Sequence, residues 1–293
     1  MRNFSGRVCS VLFLLMAAGL FAQDFHLVFL DGDVDIHENG QWTPLVIGEA
    51  VSQGSRISLS EGTLAEFSGP RGTILFSSAG TYRLGLSEKA PDFGQNTAVS
   101  SIFNRLSKAG GNVDRGKSEV MGVRGSEAME NEGFTWMDED SSNFEEALEA
   151  FADQDFELVI EILENDVDPI VLDDPSAYWY HLAASYDALG RMGPALKILR
   201  SHSVENFSSS YRDYLFLEGR LYFESRNYTQ AVDSFDAFVR EESGTGKTQL
   251  AFYMLGAAFL EQGKTKEGNS ALEEAIRINA DAELTALARK LLP

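Results

Sequence analysis

The chain has 293 residues and carries 45 Asp and Glu against 24 Lys and Arg, a formal net charge of −21 at pH 7. A surface this acidic repels the phosphates of nucleic acids and anionic membrane surfaces, so neither is an expected ligand. The single cysteine, Cys9, excludes a disulfide framework and a thiolate metal site.

The N-terminus has the features of a secretory signal peptide. Arg2 and Arg7 precede an apolar stretch from Val8 to Ala22, which is too short to span a membrane comfortably and ends in small residues. We expect a signal peptide at residues 1–22, cleavage after Ala22 and export to the periplasm of a mature chain with a net charge of −23, because both arginines are lost. The alternative is an uncleaved membrane anchor, because Leu20 is larger than usual three positions before the cut.

Glycines punctuate the region from Asp24 to Leu86. Between them lie short runs in which apolar and polar residues alternate, a pattern typical of strands joined by tight turns. The glycines are Gly32, Gly40, Gly48, Gly54, Gly62, Gly72 and Gly80. We predict a small antiparallel β domain. It can bury only a modest core, so we expect it to need the following segment or the helical region for stability.

Several motifs in this region resemble the FecR family. They are Gly32-Asp33-Val34, Trp42, Leu45-Val46-Ile47-Gly48-Glu49, Gly54-Ser55-Arg56-Ile57, Gly62-Thr63-Leu64-Ala65-Glu66-Phe67 and, later, Met121-Gly122-Val123-Arg124-Gly125-Ser126. The resemblance implies a β-rich extracytoplasmic domain at residues 23–137. That range includes an irregular Gly- and Ser-containing extension with one short helix at Val99–Lys108.

The next segment is strongly acidic. From Asp138 to Pro175 there are fifteen Asp and Glu and no Lys, Arg or His. A solvated helix face with a linker is favoured over a site for a cation or a basic partner. We place the domain boundary at residues 134–142, with Ser141 or Ser142 as the cap of the first helix of a second domain at residues 138–293.

From Ser176 onward one pattern of large apolar, small and aromatic residues occurs three times. The three copies begin near Ser176, Arg212 and Gln249, and the pattern has the spacing of a helical stripe. It resembles the tetratricopeptide repeat, a helical hairpin of about 34 residues. The resemblance implies an all-α solenoid with a weak repeat at 140–175, repeats at 176–211, 212–248 and 249–280, and a capping helix at 281–292. Small residues should let the paired helices approach closely, at Ala183, Gly219 and Gly256 on one side and Ala195, Ala231 and Gly268 on the other.

The same resemblance implies a binding groove, because in tetratricopeptide folds the first helix of each pair lines the concave face. The corresponding positions are Tyr180, Ala184, Asp187, Phe216, Arg220, Phe223, Tyr253, Ala257 and Leu260. We expect an apolar trough with Arg220 as its positive anchor and an amphipathic helix or extended apolar segment as its ligand. The alternatives are that some of the rings are core between hairpins, or that the linker of the same chain fills the trough.

No motif supports catalysis. Ser243–Thr248 looks like a phosphate-binding loop, but Glu241 stands where a glycine is required, so we predict a turn and a helix start. The four histidines have no metal-ligand spacing. We therefore expect no catalytic, cofactor-binding or metal-binding residues.

Together these features favour a multidomain, non-enzymatic scaffold of the bacterial envelope that binds a partner protein. The alternative is an extracytoplasmic sensor or cell-wall module, in which the FecR-like domain contacts a glycan or a small ligand. Membrane contact is expected only if the signal is retained.

Overall fold

The computed structural model describes residues 24–70, 72–85, 135–241 and 243–293. It has a small β region followed by a helical array, which confirms the predicted order of an all-β and an all-α part. The predicted signal peptide at 1–22, the helix at 99–108 and the FecR-type motif at 121–126 lie outside the described residues.

The β region contains eight strands in two antiparallel sheets. The strands are β1 Asp24–Asp31, β2 Val34–Glu38, β3 Gln41–Pro44, β4 Ala50–Ser52, β5 Arg56–Leu59, β6 Leu64–Gly69, β7 Gly72–Phe76 and β8 Gly80–Arg83. Sheet A has the order β4-β1-β6-β7 and sheet B the order β3-β2-β5-β8. Apolar side chains such as Phe25, Leu27, Ile57 and Phe67 are buried in one cluster that draws on both sheets. This is the predicted antiparallel domain, built as a two-layer sandwich.

All seven predicted turn glycines have a positive φ, which explains why the alternating runs end where they do. Gly32 shows the additional effect of close packing. A Cβ at this position would lie 2.6 Å from the Thr63 hydroxyl oxygen, which accepts a hydrogen bond from the Asp33 amide at 3.1 Å. Gly32 is therefore required both by backbone conformation and by space.

Nine α-helices follow in the described part of the chain. They are α1 Thr135–Ala152, α2 Phe156–Asn165, α3 Pro175–Ala188, α4 Met192–Ser201, α5 Tyr211–Glu224, α6 Tyr228–Glu241, α7 Gly246–Glu261, α8 Thr265–Ile278 and α9 Ala282–Leu291, with a 3-10 turn at Pro169–Val171. The first eight form four hairpins, and α9 follows the last of them. Among these helices there is none with the length and apolar character to cross a membrane.

The turns of the four hairpins share one backbone conformation. Each has a residue in the left-handed region, at Gln154, Gly190, Arg226 and Gly263. The backbone amide of the next residue donates a hydrogen bond to the carbonyl five positions before it, as the Asp155 amide does to Ala150. The weak first copy is thus built like the other three.

The predicted small residues do bring the paired helices together. A Cβ added to Gly256 of α7 would lie 3.0 Å from the Gly268 carbonyl oxygen of α8, and the reverse contact is equally short. A Cβ added to Gly219 would lie 2.9 Å from the ring of Phe235. At Gly219, Gly256 and Gly268 the paired helices thus approach as closely as the prediction requires.

One local prediction is wrong. Helix α1 begins at Thr135, so Ser141 and Ser142 lie inside the helix and neither caps it. Asp138, Glu139 and Asp140 likewise lie within this helix rather than in a linker before it.

The outer face of sheet A packs against the helical array. Phe29, Glu66 and Leu75 lie side by side on three neighbouring strands, and Leu64 and Leu75 join the main hydrophobic cluster of the helices. Glu66 is 3% exposed, and its carboxylate accepts a hydrogen bond at 2.8 Å from the amide of Gly193, in the first turn of α4. The two regions therefore share buried apolar surface and a buried polar contact.

Glu66 acts as the N-terminal cap that α4 lacks. The residue before the helix, Arg191, makes no side-chain capping bond. A carboxylate at this position satisfies orphan backbone donors and complements the helix dipole. Two further contacts support the junction, an ion pair between Lys197 and Asp31 at 3.2 Å and a hydrogen bond between the hydroxyls of Ser77 and Ser225 at 2.7 Å.

Candidate protein-binding surface

The nine predicted groove residues lie on the first helices of the last three hairpins. Tyr180, Ala184 and Asp187 are on α3, Phe216, Arg220 and Phe223 on α5, and Tyr253, Ala257 and Leu260 on α7. None of the nine is fully exposed. Tyr180, Ala184, Asp187 and Leu260 are half-buried, whereas the other five are buried.

The buried rings are part of the packing between helices. Phe216 contacts Phe235 and Phe238 of α6, with ring centroids 6.0 and 5.2 Å apart, and Phe223 contacts Tyr228 at 5.5 Å. Tyr253 is 2% exposed, and burial raises the pKa of its hydroxyl to about 12. At Phe216, Phe223 and Tyr253 the structure favours the alternative that the rings are core.

Arg220 is committed to carboxylates of the same chain. Its guanidinium forms ion pairs with Asp187 of α3 and, at 2.7 Å, with Glu224 of α5. Burial alone would lower the pKa of the guanidinium, but the two carboxylates outweigh this and raise it. Arg220 therefore joins two neighbouring hairpins, and a partner could use it as an anchor only by displacing one of these acids.

Helix α9 is attached to α7 through one buried side chain. Gln249 of α7 is fully buried, and its side-chain amide donates to the Asp281 carbonyl at 3.1 Å and to the Thr285 hydroxyl at 2.9 Å. Its amide oxygen accepts a bond from the Asp281 backbone amide at 2.6 Å. These three bonds fix α9 to α7.

The accessible part of this face is polar. Lys247 of α7 pairs with Asp213 of α5 at 2.7 Å. Burial raises the pKa of the Tyr180 hydroxyl, and the nearby carboxylates of Asp213 and Asp187 raise it further. Tyr180 therefore lies among carboxylates. The surface that α3 and α5 form around it is acidic, and several of its charges are ion-paired.

A second feature is an acidic cleft near the start of the array. It has a volume of about 600 Å³ and is lined by Glu139, Asp140, Asn143, Glu164, Asn165, Asp166, Val167, Asp168, Pro169, Tyr178 and Trp179. Trp179 stacks on His202 with ring centroids 3.5 Å apart. The run of fifteen acids was the sequence signal for this cleft. Among the described residues no group of three or more His, Cys, Asp or Glu is arranged to hold a metal ion.

The segment that resembles a phosphate loop is a helix start, as predicted. Thr245 caps α7 by accepting a bond from the Thr248 amide at 3.1 Å, and the Thr248 hydroxyl accepts in return from the Thr245 amide. The sequence Thr-Gly-Lys-Thr is thus used as a capping box.

Comparison with known proteins gives one family match and two similar structures. A family model described as tetratricopeptide repeat matches residues 250–282, which include most of α7, all of α8 and the first residue of α9. No curated protein matches the sequence. Two solved structures of MamA are similar, both at 14% identity. One, from AMB-1, has a TM-score of 0.43 and covers 52% of this chain and 88% of its own. The other, a single-residue mutant, has a TM-score of 0.41 and covers 55% and 89%.

Proposed function

We propose that the protein is a non-enzymatic scaffold that binds a partner protein through its helical array. The observation that supports this most is the run of four hairpins with one turn conformation, whose last member matches the tetratricopeptide repeat. Arrays of this kind present an extended concave surface, and they act by binding rather than by chemistry.

The proposed contact surface is centred on α3. Tyr180, Ala184 and Asp187 keep accessible surface there, and Leu260 does so at the far end. This face carries more carboxylates than cations. The carboxylates are those of Asp187, Asp213 and Glu224, and the cations are Arg220 and Lys247. The partner is therefore an amphipathic segment whose polar side is basic, docked against Tyr180.

A photocrosslinking experiment tests this proposal. Benzoylphenylalanine is introduced at Tyr180 and, as a matched aromatic control, at Phe207, which is 79% exposed and lies in the loop after α4. Illumination of living cells should give a discrete adduct at position 180 that is absent at position 207, and mass spectrometry identifies its partner. An adduct pattern that is the same at both positions, or no adduct at position 180, argues against the α3 surface.

We also propose that the protein is exported and that residues 23–137 form a FecR-type domain. The support is the basic and apolar N-terminus, together with the motifs from Gly32 to Phe67. N-terminal sequencing of the protein from a periplasmic extract should begin at Gln23. A chain that keeps Val8–Ala22 and stays in the membrane fraction contradicts cleavage.

A further inference from the structure

Four side chains form a row across the outer face of sheet B. Trp42 of β3 pairs with His37 of β2, His37 pairs with Arg56 of β5, and Arg56 pairs with Arg83 of β8. Directly paired residues project from the same face of a sheet, and neighbouring strands are about 4.8 Å apart. The row therefore runs about 14 Å across all four strands of the sheet.

This row concentrates the positive charge of an acidic region. Residues 24–85 contain eight Asp and Glu and only three arginines, at positions 56, 71 and 83. Arg56 and Arg83 are neighbours in the row and are both exposed. In the described parts of the chain neither forms an ion pair. Among the described residues no carboxylate neutralises these two guanidinium groups.

Contacts along the row hold the side chains in place. The Arg56 guanidinium donates to His37 Nδ1 at 2.7 Å, and the His37 ring meets the edge of Trp42 with centroids 4.9 Å apart. The guanidinium carbon of Arg56 lies 6.0 Å from the Trp42 ring centre, within the range of a cation–π contact. Trp42 nevertheless remains 44% exposed, so part of its ring is open. A preorganised surface loses less entropy on binding.

The opposite side of the sandwich is already occupied, because the outer face of sheet A packs on α4. Sheet B points away from that junction, and the second row of its outer face consists of Pro44, Asp35, Ser58 and Thr81. These are small or polar side chains. The face therefore offers one aromatic ring, two arginines and several hydrogen-bonding groups, without the apolar centre that a stable protein interface needs.

We infer that this row binds a carboxylate-bearing polysaccharide. Arginine binds carboxylates through paired hydrogen bonds, and two adjacent arginines fit an acidic polymer better than an isolated anion. The open part of the Trp42 ring can pack on the apolar C–H face of a sugar ring. Asp35, Ser58 and Thr81 can exchange hydrogen bonds with sugar hydroxyls. The net charge of −21 repels every polyanion, the polysaccharide as well as nucleic acid, so recognition rests on the local contacts of Arg56, Arg83 and Trp42.

The test uses the full chain and a defined oligogalacturonate in isothermal titration calorimetry at low salt. We expect binding that weakens as salt is added, because exposed charges are screened. The double variant Arg56→Gln/Arg83→Gln should bind at least tenfold more weakly, and Trp42→Ala should also weaken binding. Arg277→Gln, an arginine on α8 whose side chain is 73% exposed, is the matched control and should bind like the wild type.

Two further ligands separate sugar recognition from charge alone. A neutral maltooligosaccharide of the same length should not bind, and poly-L-glutamate of matched charge should bind at least tenfold more weakly than the oligogalacturonate. The inference is overturned if oligogalacturonate does not bind, or if its binding survives Arg56→Gln/Arg83→Gln. It is also overturned if poly-L-glutamate binds equally well, which would indicate an acidic protein segment as the ligand. If the double variant unfolds, the single variant Arg83→Gln replaces it in the test, because Arg83 is exposed. This inference concerns the β region and is independent of the protein-binding role of the helices.

Discussion

At the scale of single residues, Arg220 shows how a side chain predicted to bind a partner can instead hold the fold together. Its side chain is 7% exposed and paired with Asp187 and Glu224, so its removal leaves two acids of a poorly hydrated site without their counter-charge. Burial raises the pKa of Glu224, which is in keeping with a costly charge at this position.

We predict that Arg220→Gln lowers the free energy of unfolding by about 3–5 kcal/mol, the usual cost of breaking a buried ion pair. Urea unfolding followed by circular dichroism measures it. The control is Arg240→Gln, which breaks an ion pair with Asp236 at an exposed position and should cost at most about 0.5 kcal/mol. Equal and small effects of the two substitutions would contradict a structural role for Arg220.

Glu66 gives a residue-scale prediction about pH. Burial raises the pKa of its carboxyl, although hydrogen bonds from the backbone of Gly193 and Met192 oppose the shift. A carboxyl whose pKa is raised by folding favours the folded state when protonated. Its stabilising contribution is therefore full below its unfolded pKa, about 4.5, and is lost as the pH rises through the higher folded value.

Glu66→Gln removes this titration and keeps an oxygen that accepts from the Gly193 amide. The difference in free energy of unfolding between the variant and the wild type should grow in favour of the variant as the pH rises from 4 toward 7. Other buried acids, such as Glu218, titrate equally in both proteins and cancel in this difference. A difference that is constant with pH would show that Glu66 does not titrate in this range.

At the scale of helices and strands, the sequence predicts those features that a local steric rule determines. A tight turn requires a residue with positive φ, so the seven glycines gave the strand ends. Close helix contacts require small residues, so Ala183, Gly219 and Gly256 predicted which helices pack as pairs. The burial of Phe216 and Tyr253 could not be read in this way, because it depends on how closely the neighbouring helices and α9 cover the first helices.

The closing helix provides a prediction at this scale. Gln249→Leu removes three hydrogen bonds and leaves the Asp281 amide and the Thr285 hydroxyl without this partner, at a cost of about 1–3 kcal/mol. Hydrogen exchange with mass spectrometry should show faster exchange in α9 and the start of α7, and unchanged exchange in α1–α4. Gln230→Leu, at an exposed position on α6, should leave the pattern of the wild type. Uniformly faster exchange in all helices would contradict a local role.

At the scale of the whole molecule, the feature that the sequence did not reveal is the junction between the β region and the helices. Phe29, Glu66 and Leu75 look like ordinary members of alternating strands until the pairing of β1, β6 and β7 places them side by side. The row of Trp42, His37, Arg56 and Arg83 was hidden for the same reason, because it joins the hairpin of β2 and β3 to two strands farther along the chain. Composition did predict that so small a sandwich needs outside support.

The junction leads to a prediction about cooperativity. Gly193 lies in the first turn of α4, and a Cβ at this position would lie 2.4 Å from the Phe29 ring and 2.8 Å from the Glu66 carboxylate. Alanine is favoured over glycine within a helix by about 1 kcal/mol, so a simple propensity effect would make Gly193→Ala stabilising. We predict the opposite sign, a loss of about 1–3 kcal/mol, because overpacking forces the sheet away from the helix.

Pulsed hydrogen exchange across a urea series follows peptides of both regions in one sample. In the wild type, β1, β6 and α4 should lose protection together, whereas in Gly193→Ala the strands should open at lower urea than the helices. Phe29→Ala provides the control, because it removes the ring that the new methyl group meets. In that background Gly193→Ala should cost less than in the wild type. A cost that is the same in both backgrounds, or strands that open independently already in the wild type, would show that the two regions are not energetically coupled through this contact.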